Sequence, residues 1–81
     1  MKLWLKYILS LSKKEQLLFL EILSQIEALD FSNLDMKKLS GFTTLYRIRI
    51  WGRRIILQKN IESYSIIRIG PRGDVYKNLS E

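Results

Sequence analysis

From Leu45 to Trp51 the side chains alternate, with Tyr46, Ile48 and Ile50 on one side of the chain and Leu45, Arg47, Arg49 and Trp51 on the other. Successive side chains of an extended strand point to opposite faces, so a period of two marks a strand with one covered and one open side. Gly52 suits a tight reversal, and Arg54-Ile55-Ile56-Leu57-Gln58 reads as the returning strand of a hairpin. After a turn over 58–63, Tyr64-Ser65-Ile66-Ile67-Arg68-Ile69 reads as a third strand, stopped at Gly70-Pro71 because proline has no N–H for a central ladder. The expectation is a three-stranded antiparallel meander over 45–69. If Ile48, Ile50, Ile55, Leu57, Ile67 and Ile69 share the covered side, the open side displays Arg47, Arg49, Arg54 and Arg68 among Leu45, Trp51, Ile56 and Tyr64.

A sheet with one apolar side needs a cover, and residues 1–30 supply it. Trp4, Leu5, Ile8, Leu9 and Leu11 recur at helical spacing, and Ser12 followed three residues later by Glu15 is a capping box that opens a second helix. Phe19, Ile22, Leu23, Ile26 and Leu29 form the apolar stripe of that helix, with Lys14, Glu21 and Gln25 largely on its wet side. Residues 31–44 read as a connector, with Ser32, Asn33, Ser40 and Gly41 as turn formers around a short Met36-Lys37-Lys38-Leu39 segment. Residues 70–81 form a C-terminal segment. The 81 residues show no repeat and leave room for one core, so the expected class is α+β, a single domain with an N-terminal helical hairpin packed on a small twisted antiparallel sheet.

Composition removes several chemistries. There is no cysteine and no histidine, hence no disulfide framework and none of the ligand pairs on which zinc sites usually depend. No apolar stretch approaches the roughly 20 residues that cross a bilayer, Lys6 interrupts the apolar run of the first nine residues, and no small-residue cleavage site follows it; a cytoplasmic protein is expected. Charge is divided unevenly along the chain. Residues 1–36 carry four lysines against five carboxylates, a net −1, while residues 37–81 carry ten lysines and arginines against three carboxylates, a net +7. A positive field confined to one part of a small domain favours a polyanion, with nucleic acid first and an acidic protein second.

Guanidinium groups fork onto phosphate oxygens and stay charged at physiological pH, so they suit clamping an RNA backbone and stabilising charge on a reacting phosphate. They are poorly suited to removing the 2′-hydroxyl proton. Asp74, in a Gly73-Asp74 turn, reads as a cap or turn former, and Trp51, at the hairpin tip, as packing.

Four segments together resemble the ordered motifs of the RelE/ParE toxin superfamily: Lys37-Lys38-Leu39-Ser40-Gly41, Leu45-Tyr46-Arg47-Ile48-Arg49-Ile50, Arg54-Ile55-Ile56, and Ile69-Gly70-Pro71-Arg72-Gly73-Asp74-Val75-Tyr76-Lys77. The resemblance implies two antiparallel helices on one side of a twisted antiparallel sheet. For RelE-type members it implies a toxin, paired with a cognate antitoxin, that cleaves mRNA on the ribosome without metal or cofactor. By position it implies catalytic roles for Arg47, Arg49, Arg54, Arg72 and Tyr76: Arg54 and Arg72 would hold the scissile phosphate, and Tyr76 would stack on a base or assist proton transfer. Lys37, Lys38, Arg68 and Lys77 are the accompanying substrate-binding candidates. The family usually begins with a strand ahead of the helices, so the sheet here is expected to be one strand short, with an edge open to an antitoxin or a second copy. ParE-type relatives share the Tyr-Arg-Ile-Arg hairpin and are gyrase inhibitors without nuclease chemistry; a truncated, inactive relative that only binds antitoxin or RNA is the third reading.

Overall fold

Local signals decide the helical half. In the computed structural model, which describes residues 1–81, Leu3–Leu9 forms helix α1 and Lys13–Glu27 forms helix α2. The capping box closes as the sequence predicts: the Glu15 N–H donates to Ser12 Oγ and the Ser12 N–H donates to Glu15 Oε1, each at 3.2 Å. Gln16 Nε2 donates to the carbonyls of Leu9 and Leu11 at 3.2 and 2.9 Å, which ties the end of α1 to the start of α2. Helix α2 stops in a Schellman arrangement, with the Asp30 N–H on the Gln25 carbonyl at 2.9 Å and the Leu29 N–H on the Ile26 carbonyl at 3.0 Å. Leu29 takes the left-handed position, φ 57°, that glycine usually fills, and it is half exposed. The apolar stripe therefore ends at Ile26 and not at Leu29.

The sheet has four strands, one more than the alternation predicts: β1 (Asp35–Lys38), β2 (Leu45–Ile50), β3 (Arg53–Lys59) and β4 (Tyr64–Pro71), antiparallel throughout and in the order β1-β2-β3-β4. The additional strand lies in the expected connector. Its sequence, Asp-Met-Lys-Lys, offers only Met36 to the core, opposite Ile48, and an edge strand paired on one side needs no more. A short 3-10 turn, Asp74–Tyr76, follows β4.

A bulge in β4 changes which residues face the helices. Ile56 pairs with Arg68 while the next residue of β3, Leu57, pairs with Ile66, so Ile67 is the extra residue and the alternation shifts phase there. Ile66 and Tyr64 consequently pack against the helix-side core, and Ile67 stays 37% exposed, the reverse of the expected assignment of Ile67 and Tyr64. The Tyr64 ring meets Phe31 and Tyr46 edge-to-face, with centroids 5.0 and 5.8 Å apart. The helix-side core joins Ile8, Phe19, Ile22 and Ile26 to Ile48, Ile50, Ile55, Leu57 and Ile69. Leu45, Ile56 and Val75 are also fully buried but lie outside that cluster.

Candidate nucleic-acid interface

Directly paired residues in neighbouring strands share a face, so the register writes out the open side of the sheet as two rows. One row runs Asp35, Arg49, Arg54, Gly70, and the next runs Lys37, Arg47, Ile56, Arg68. The four predicted arginines and Lys37 therefore share one face. Lys38 pairs with Tyr46 and belongs to the opposite alternation, so the structure separates it from the group.

Each arginine of the face is differently engaged. The Asp35 carboxylate bridges two of them, accepting from Arg49 Nε at 2.8 Å through Oδ2 and from Arg47 Nη1 at 3.4 Å through Oδ1; Arg47 Nη1 also donates to the Asp35 carbonyl at 3.2 Å. Desolvation opposes the charge on Asp35, but the hydrogen bonds from Arg49 and Arg47 outweigh it and hold this carboxyl below its ordinary range. Arg54 is buried and has no carboxylate partner; its Nη1 donates to the carbonyls of Trp51 and Arg53 at 2.9 and 3.1 Å. Arg68 Nη1 donates to the carbonyls of Val75 and Lys77 at 3.0 and 2.6 Å. Arg53 belongs to the opposite side of the sheet. Lying opposite Ile50, it donates on the helix side to Tyr7 Oη at 3.0 Å and pairs with Glu15 Oε2 at 2.5 Å.

The C-terminal segment is fastened across this side of the sheet. At its start the Arg72 N–H donates to the Gly52 carbonyl at 3.0 Å, which sets Arg72 beside the β2–β3 turn and the Arg49–Arg54 row. In its middle Val75 is inserted against Gly70, where an added Cβ would come within 3.1 Å of Val75 Cγ1. At its end the Glu81 carboxylate accepts from the N–H groups of Thr43 and Thr44 and from Thr43 Oγ1. Those bonds, from Thr44 first and then Thr43, hold the Glu81 carboxyl below its usual range. Arg72 is exposed, Tyr76 is 37% exposed, and Lys77 is exposed with Nζ 3.7 Å from Asp74 Oδ1.

Trp51 does not pack. It occupies a two-residue turn between Ile50 and Arg53 with φ 54° and is 77% exposed, because that turn holds it clear of both cores. The residues missed from the sequence are Asp35, Glu81 and Val75. The ion pair of Asp35 spans 12 and 14 residues and the contacts of Glu81 span 37 and 38, so no local spacing announces either. The Gly-Pro-Arg-Gly-Asp-Val-Tyr run marked the segment that carries Val75 but not its burial.

Two helices on one side of a four-stranded antiparallel sheet define this chain as having the RelE-type toxin fold. In particular, it is similar to the crystal structure of the RelB–RelE antitoxin–toxin complex from Methanococcus jannaschii, with a TM-score of 0.70 and 24% sequence identity, over 99% of this chain and 96% of that chain. No family model matches the sequence, and no curated protein matches it. The likeness is thus one of backbone architecture, as the periodicity and the motif order both predict, with β1 found inside the connector.

Proposed function

We propose that this chain is the toxin of a toxin–antitoxin pair, acting in the cytoplasm as a ribosome-dependent endoribonuclease that cleaves mRNA and inhibits translation. The observation that carries the reading is the gathering of Arg47, Arg49 and Arg54 on one sheet face with Arg72 fastened at its rim. The fold shared with the RelB–RelE complex supports a cognate antitoxin as partner.

In this reading a phosphate of the mRNA lies over the Arg49–Arg54 row. The 2′-oxygen attacks phosphorus, its proton leaves, and the 5′-oxygen departs and is protonated. Arg54 and Arg72 neutralise the charge that builds on the phosphate oxygens, the step at which fixed cations lower a barrier most. Tyr76, exposed on the fastened segment, stacks on a base or passes a proton. Trp51 adds exposed aromatic surface at the hairpin tip, and basic groups interleaved with aromatic ones suit single-stranded RNA. The reaction is proposed to need no metal and no cofactor.

The test is expression under tight control, followed by mapping of mRNA 5′ ends on translating ribosomes for the wild type, Arg72→Ala and Tyr76→Phe. Codon-phased cuts that disappear in Arg72→Ala are expected. One observation favours the gyrase-inhibitor reading: Arg54 and Arg68 spend donors on backbone carbonyls, as structural arginines do. DNA damage without mRNA cuts would decide for that reading, and unimpeded growth with neither effect would leave an inactive relative.

A further inference from the structure

The open face carries five cations, Lys37, Arg47, Arg49, Arg54 and Arg68, and one anion, Asp35. That anion is placed where it meets two guanidiniums at once. Asp35 stands directly opposite Arg49 and diagonal to Arg47, and it gives one carboxylate oxygen to each. A carboxylate and a phosphodiester present the same feature to a guanidinium, two oxygens sharing negative charge about an angle that the N–H fork matches. Asp35 therefore holds the arrangement that a phosphate bridging Arg47 and Arg49 would hold.

The exposures set the terms of an exchange. The side chains of Asp35 and Arg49 are 47% and 52% exposed, so this pair lies within reach of solvent and of a ligand. Ion pairs at that exposure are weak, because water and salt screen them, and a polyanion can displace one. Arg47 is only 16% exposed and is also held by the Asp35 carbonyl, so it keeps its place when the carboxylate swings away.

We propose that Arg47 and Arg49 form an oxyanion subsite for an RNA phosphate which Asp35 fills in the free protein, so that RNA must displace an internal competitor to engage it. This rests on the reading of the face as an RNA-binding surface. Asp35 acts as a selectivity filter there. It lowers affinity for stray anions and isolated phosphates, and it yields to a strand that the remaining cations hold in register. It also relieves the repulsion between Arg49 and Arg54, which lie directly opposite each other.

The test compares wild type with Asp35→Asn, whose amide oxygen still accepts from Arg49, and with Glu21→Gln, which adds the same charge on the exposed side of α2. Binding of a single-stranded oligouridylate is measured against salt concentration. Asp35→Asn is expected to bind about three- to fivefold more tightly. Its plot of log affinity against log salt should stay within about 0.7 of the wild-type slope, the contribution of a single phosphate, because the strand reaches the same phosphates in both proteins once Asp35 has swung away. Glu21→Gln should match wild type within experimental error. An equal gain in Glu21→Gln, or none in Asp35→Asn, would overturn the inference and leave the RNA reading intact.

A second measurement separates the two failures. Inorganic pyrophosphate is titrated while the Nε–Hε resonances of Arg47 and Arg49 are followed, and Asp35→Asn should saturate at a lower concentration than wild type. If pyrophosphate shows that difference while neither protein binds oligouridylate, the competitor stands and the RNA reading falls. Equal saturation in the two proteins would remove the competitor.

Discussion

On the side of the sheet that faces α1 and α2, nine buried apolar side chains meet in one cluster, whereas on the arginine side Leu45, Ile56 and Val75 are buried apart from it and the covering segment is held by polar contacts. The helix side depends mainly on apolar area removed from water, and acid reaches it only through Glu15, which caps α2 and pairs with Arg53. The arginine side depends on donors aimed at carbonyls and carboxylates, each of modest net worth in contact with water. One side is built to stay closed. The other is fastened in a way that solvent, pH and a ligand can each loosen.

The largest effect should come from the helix side. Phe19 is fully buried in the cluster, and Phe19→Ala should cost about 3–5 kcal/mol, enough to unfold much of a marginally stable domain. A denaturant titration by circular dichroism measures it, and a loss below about 1 kcal/mol would mean that the helices contribute far less than their packing implies. Val75→Ala trims one of the three buried apolar side chains of the other side, and its expected cost is about 1–3 kcal/mol. Here the comparison predicts a different pattern: faster amide exchange over 74–77 should appear well before α2 loses protection. Uniform acceleration in both regions would show that the two sides open together.

Acid should act next. Glu15 is held below its ordinary range chiefly by the Ser12 hydroxyl, Asp35 by the two arginines against desolvation, and Glu81 by the Thr44 and Thr43 donors. A carboxylate whose folded value lies below its unfolded one binds more protons when unfolded. Its contribution is complete above the unfolded value of about 4 and is lost as pH falls through the folded value. Stability should therefore be flat from neutral pH to about 5 and decline below about 4. Glu81→Gln should make amide exchange over 74–77 less sensitive to that fall while the exchange of α2 keeps its acid response, because Glu15 remains. The smallest effect is expected of Arg68→Met, about 0.5–1.5 kcal/mol from the lost bonds to Val75 and Lys77, seen as local exchange with little change in the denaturation midpoint.

What the sequence disclosed follows the same division. The helices, the Ser12–Glu15 box and the β2–β3 hairpin are visible because each is written in neighbouring residues, by a period or a cap. The gathering of Arg47, Arg49, Arg54 and Arg68 follows from alternation alone, since a shared face needs only parity. Strand β1 was hidden because one apolar residue in four makes no period. The exchange of Ile67 for Ile66 was hidden because adjacent isoleucines fit either phase, and only the pairing with β3 chooses between them. The partners of Asp35 and Glu81 required the completed topology, as electrostatic contacts between distant segments leave no mark on spacing.

The bulge at Ile67 has a consequence for how copies of this chain behave together. Strand β4 is the last of the sheet, and a row of its backbone groups has no strand beside it. Such a margin invites another molecule to lie along it and begin a fibrous stack. The extra residue interrupts that margin partway, so a newcomer that fits the first half of the strand is out of step with the second. The irregularity that confounds a reading of Ile66 and Ile67 thus also makes that margin a poor template for a neighbouring strand.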